Sequence, residues 1–139
     1  MTPQEIAARL PTLADGPHDD TTIIALADIT AEAIRTLNHA TMPPARLTEP
    51  ATAYGVLGHL AAAAHRLPQL CGQLAGWLAE QHTAGRLAHT TGGLPDAVED
   101  ARASLDRAAR HATHLGEALD LAQQATTWLY RPGNGGEDQ

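Results

Sequence analysis

Residues 56–82, VLGHLAAAAHRLPQLCGQLAGWLAEQH, decide the fold. Leu57, Ala64, Cys71 and Leu78 fall every seven residues, and so do Leu60, Leu67, Leu74 and Gln81. A seven-residue apolar repeat held over four heptads keeps one stripe in line along an α-helix and marks lengthwise packing on another helix. Pro68 is the irregularity. It removes a backbone hydrogen bond and crowds the carbonyl one turn back, at roughly 3 kcal/mol if uncompensated. The heptad lines pass it without a phase slip, and neither Leu67 nor Gln69 beside it builds a reversing turn. A long helix kinked at Pro68 is therefore favoured over two helices meeting at a turn.

Working outward, caps and breakers delimit three more helical segments. Thr2-Pro3-Gln4-Glu5 opens a short first helix with Ile6, Leu10 and Leu13 on one face, ending near Ala14. Asp20 reads as the N-cap of a second, from Thr21 to about Thr41, where MPPAR stops it. Its repeat is Ile23, Leu26, Thr30, Ala33, Leu37 and Ala40. The third begins after Thr48 or Glu49, with Pro50 at its first position, and reaches about His82. The fourth starts at Pro95 after TTGG and runs to Tyr130. Its lines are Val98, Leu105, Ala112, Leu119, Thr126 and Ala101, Ala108, Leu115, Ala122, Leu129. Short connections make such helices antiparallel neighbours. The fold class expected is all-α: an antiparallel up-down bundle of three long helices plus a short N-terminal helix, kinked at Pro68. Residues 1–130 form one domain and 131–139 a flexible tail.

Composition narrows the function. The chain has 139 residues, net charge −7 and no lysine, so it has no long-range attraction to phosphate backbones or anionic membranes. Alanine abundance and the absence of phenylalanine imply thin side chains and closely approaching helices. MTPQEIAARL lacks the basic and apolar regions of a signal peptide, and no apolar run is long enough to span a bilayer. A cytoplasmic protein without direct nucleic-acid or membrane binding is expected.

The eight histidines invite a metal reading. His59, His65 and Cys71 follow one another at intervals of six, so each is turned by about 240° from the last, and the set spans about 18 Å of helix. They do not converge on one ion. Relative to the seam between the heptad lines, His39, His59 and His114 point about 130° away, His65 about 110°, and His82 and His111 about 70°. No Glu-x-x-His pair of the di-metal bundles is present. No phosphate loop, nucleophile elbow or H-E-x-x-H occurs, and the one serine, Ser104, is mid-helix. Cys71 reads as a small apolar core residue. Arg102, Arg107 and Arg110 are interleaved with Glu99, Asp100 and Asp106, a self-neutralised helix surface. No catalytic, cofactor or metal residues are assigned.

The useful anomaly is apolar. Ala118, Leu121, Ala125 and Trp128 form a second stripe on the fourth helix, away from the seam; Val56, Ala63, Leu70 and Trp77 form a flank on the third. Apolar surface of this kind marks a partner or self-association. The candidate interaction surface is Leu121, Ala125, Trp128, Val56, Leu70 and Trp77. The expected function is a non-catalytic helical-bundle interaction or regulatory protein, acting through self-association, as a homodimer, or through a protein partner. The alternative is a small-molecule- or metal-binding bundle, with enzymatic activity an option, in which the Pro68 kink opens a pocket.

Two resemblances accompany these patterns. The four-helix layout is similar to the small metal-binding bundles of the DinB type, which hold an ion on three histidines from different helices. Here His59, His111 and His114 would have to turn inward to match. The block PATAYGVLGHLAAAAHRLPQLCGQLAGWL, Pro50–Leu78, resembles small Ala-rich helical proteins of actinobacteria. The absence of lysine fits such a GC-rich coding background. That resemblance implies an origin and no activity.

Overall fold

The computed structural model describes residues 4–5, 8–10, 18–44 and 47–133. Every regular element among them is helical. The chain divides into two compact units, Met1–Thr48 and Glu49–Gln139. No helix among the described residues is long and apolar enough to cross a membrane.

In the first unit, Gln4, Glu5, Ala8, Arg9 and Leu10 are helical; the rest of the short helix expected up to Ala14 lies outside the described residues. Helix α1 spans Asp20–Ala40. Its N-cap is Asp19, one residue before the position expected. Asp19 Oδ1 accepts from the Thr22 backbone N–H at 2.8 Å and from the Thr22 hydroxyl at 2.9 Å. These two bonds hold the Asp19 carboxyl below its ordinary pKa. Glu32 is lowered likewise by its hydrogen bond to Arg35 and by that residue's charge. The covered face is Thr22, Ala25, Leu26, Ile29 and Leu37. Of the line expected from the sequence, only Leu26 and Leu37 are covered, and Ile23 is exposed. The stripe of α1 is wide, and small side chains at Thr22 and Ala25 win its inner face.

In the second unit, α2 spans Pro50–Thr83 and α3 spans Leu94–Ala125. Glu49 precedes α2, and Pro50 occupies a first-turn position where no N–H is needed. The helix runs unbroken through Pro68, so the two-helix alternative is excluded. It ends in a Schellman motif. Gly85, at φ +71°, donates to His82 O at 3.1 Å, and Arg86 N–H reaches Gln81 O at 2.9 Å. Gly93 caps α3, with Pro95 in its first turn. The helix stops at Ala125, five residues short of the expected Tyr130. Thr126 offers both its N–H and its hydroxyl to Gln123 O, at 3.0 and 2.7 Å, which tightens the last turn. The breaker at Pro132 is not needed.

Helices α2 and α3 pack lengthwise and antiparallel: Tyr54 and Gly58 lie against Gln123, His65 against Gly116 and Asp120, and Cys71 and Ala75 in one groove with Arg102 and Asp106. Buried along the pair are Ala61, Ala64, Val98, Ala112 and Gly116. Of the expected tail, residues 131–133 are described and non-helical, with Arg131 3.9 Å from Glu49; residues 134–139 lie outside the description.

Replacing Gly85 by Ala forces a Cβ into the left-handed region, although the space around it is open, and is expected to cost about 1–2 kcal/mol. Gly72→Ala, with equally open surroundings but helical backbone, is expected to stabilise by about 1 kcal/mol. Chemical denaturation of both variants distinguishes the two cases. For α1 the sign with pH follows from the lowered carboxyls. Their contribution is present above the ordinary carboxylate pKa of about 4 and is lost as pH falls through the lower folded value. Helicity followed by circular dichroism should fall on acidification, and Asp19→Ala should show part of that loss already at neutral pH.

Candidate interaction surface

One heptad line on each helix faces the partner as expected: Leu57, Ala64, Cys71 and Leu78 on α2, with Val98, Leu105, Ala112, Leu119 and Thr126 reaching along α3. The expected second line is covered only in part: Leu60, Gln81, Ala101 and Ala122 are half-buried, whereas Leu67, Leu74, Ala108, Leu115 and Leu129 are exposed. Ala61, Pro68, Ala75 and His82 complete the seam on α2, and Ala109, Gly116 and Gln123 complete it on α3. Each is the neighbour four residues on, where the expected line used the neighbour three residues on. Both seams are thereby rotated by about 50°. Small residues hold the most deeply buried positions, Ala61, Ala64, Ala112 and Gly116, while Leu67, Leu74 and Leu115 are left exposed.

The two rotations have the same sense, and the helices are antiparallel, so the displaced lines finish on one side of the hairpin. That side carries Leu60, Leu67 and Leu74 from α2, with Ala101, Ala108 and Leu115 from α3; Leu67, Leu74 and Leu115 are exposed. Val56, Ala63, Leu70 and Trp77 continue it around α2. Leu70 is 49% exposed and Trp77 53%.

The opposite side is polar. His65 Nε2 lies 2.6 Å from Asp120 Oδ2 across the two helices. Its ring rests on Gly116, where an added Cβ would stand 2.6 Å from His65 Cε1. Beside it runs an open groove of about 550 Å³ lined by Pro68, Cys71, Gly72, Arg102 and Asp106, among others. Arg102 is paired with Glu99 and Asp106 with Arg110, so the charges there are matched within α3. The His65–Asp120 contact was not visible in the heptad reading, which turned His65 away from the seam. The sequence carries only a glycine in mid-helix, Gly116, and not its level against His65.

The structure separates the six candidate surface residues. Leu121 is 65% exposed and points directly away from α2 on the outer face of α3. Trp128 is 89% exposed but lies beyond the end of α3, so it does not continue the helical stripe of Leu121 and Ala125. Val56, which is half-buried, Leu70 and Trp77 stay in line on α2. His114 lies 3.7 Å from Glu117 one turn away, and His59 and His111 are exposed. Among the described residues, no group of three or more His, Cys, Asp or Glu side chains is placed to hold a metal ion. Cys71 is half-buried at the seam. No family model, curated protein or solved structure matches the chain.

The His65–Gly116–Asp120 contact is open to a double-mutant cycle. Gly116→Ala gains about 1 kcal/mol of helix propensity but displaces the ring from Asp120, an exposed pair worth about 0.2–1 kcal/mol. In the wild-type background the substitution should be nearly neutral, and in the His65→Ala background stabilising by about 1 kcal/mol. Equal effects in both backgrounds would remove the contact from the fold's energetics.

Proposed function

We propose that this chain is a non-catalytic interaction protein, working through an apolar helical surface that binds a second copy or a protein partner. The observation that carries the reading is the uncharged side of the hairpin, on which Leu67, Leu70, Leu74, Trp77 and Leu115 are exposed together. Each fully buried leucine contributes about 1.5–3 kcal/mol, so leaving several of them half in water is a large unused driving force for association. Exposed apolar side chains grouped on one side of a protein mark a partner or self-association surface. The groove supports catalysis poorly, since Arg102 is paired with Glu99 and Asp106 with Arg110.

The same proposal includes the finer arrangement expected from the sequence: an antiparallel bundle of three long helices, bent at Pro68. Its surface for association includes Val56, Leu70 and Trp77 on α2, Leu121 and Ala125 on α3, and Trp128 beyond the end of α3. A cytoplasmic setting and an actinobacterial origin belong to the proposal as well, supported by the acidic lysine-free composition and the Pro50–Leu78 block.

Size-exclusion chromatography with light scattering tests it. A complex larger than one chain is expected, formed with itself or with a protein from the native host. Leu70→Glu and Trp77→Glu should abolish it while leaving the circular dichroism spectrum intact. A strict monomer that captures no partner, and whose solubility neither variant changes, overturns the proposal.

A further inference from the structure

Helix α2 is poor in charge. In its 34 residues the only Asp, Glu, Lys or Arg side chains are Arg66 and Glu80, whereas the 32 residues of α3 carry charges along their whole length, several paired with one another. A helix that is apolar over most of its circumference belongs inside an assembly. Helix α3 covers one side of α2 only.

The two charges are placed in a telling way. They have opposite sign, and neither makes an ion pair among the described residues. They lie fourteen residues apart, two heptads, on one line of the helix about 21 Å long, and Gln73 is midway between them. That line runs beside Ala63, Leu70 and Trp77. A two-fold axis at Gln73, with the helices antiparallel, sets each Arg66 against Glu80 of the second copy. A parallel pair would instead set Arg66 against Arg66 and Glu80 against Glu80. The antiparallel register also places Leu70 level with Gly76 of the second copy, a large side chain facing an absent one.

We infer that a second copy of this chain docks on α2, antiparallel, through Ala63, Leu70 and Trp77, with Arg66 paired to Glu80 across the interface at both ends. The inference rests on the self-association branch of the proposed function and names its surface and geometry. The overlap, Ala63–Thr83, makes a strip about 30 Å long and about 10 Å wide, roughly 300 Å² per copy. Stable dimers use about 800 Å² per partner, so this one is weak and concentration-dependent.

The test is a charge exchange in the full chain, by sedimentation from about 10 to 500 µM. Wild type is expected to dimerise in this range. Arg66→Glu and Glu80→Arg, both at exposed positions, should each weaken the dimer about tenfold, because each turns two attractions into two repulsions. An equimolar mixture of the two variants should regain wild-type affinity, since every facing pair is again opposite in sign. A dimer indifferent to either substitution, or a mixture no tighter than the single variants, overturns this interface while leaving self-association standing. A chain that stays monomeric at about 500 µM overturns the second copy as the occupant and, with it, the self-association branch.

Discussion

Close approach of α2 and α3 is the constraint on which the second unit depends. Ala61, Ala64, Ala112 and Gly116 are buried between them. An alanine methyl buries little, about 0.8 kcal/mol, where a leucine yields two to three times as much. What small side chains provide is proximity. Two backbones brought together gain dispersion contacts along their whole length, and they close only where no large side chain stands in the way. Gly116 is the extreme case, since its missing Cβ is the space the His65 ring occupies.

The polarity of the hairpin follows from that choice. With alanine and glycine inside, the leucines three residues along are displaced by rotation, and antiparallel geometry collects them on one side. The remaining side takes the groups that need water or one another: His65 with Asp120, Arg102 with Glu99, Asp106 with Arg110. These pairs are exposed and individually modest in energy. Their effect is to decide which side of the hairpin stays wet. The hairpin thus has an apolar side and a side whose charges are matched within α3.

How much of this was legible in the sequence varies by element. The limits of α2 were nearly complete in Pro50 and in the turn residues after His82, because prolines and glycines act locally. The end of α3 is not legible, because Thr126 competes for a carbonyl through its own hydroxyl, a weaker signal than the proline further on. Leu70 and Trp77 could be picked as exposed apolar residues from spacing alone. Trp128 could not be placed, since its position depended on a helix end. The His65–Asp120 pair joins residues 55 apart in the chain, and no local pattern records that distance.

By itself, then, the sequence determined that the chain is helical, where its long helices begin, and one of the two lines along which each hairpin helix is covered. Those properties come from backbone chemistry and from a seven-residue period, both readable within one helix. Only the tertiary structure decided which neighbouring line completes the seam. In the middle of α2 both options are apolar, Leu67 and Leu74 three residues on and Pro68 and Ala75 four residues on, so hydrophobicity does not separate them. Side-chain volume does, and volume matters only once a second helix stands opposite.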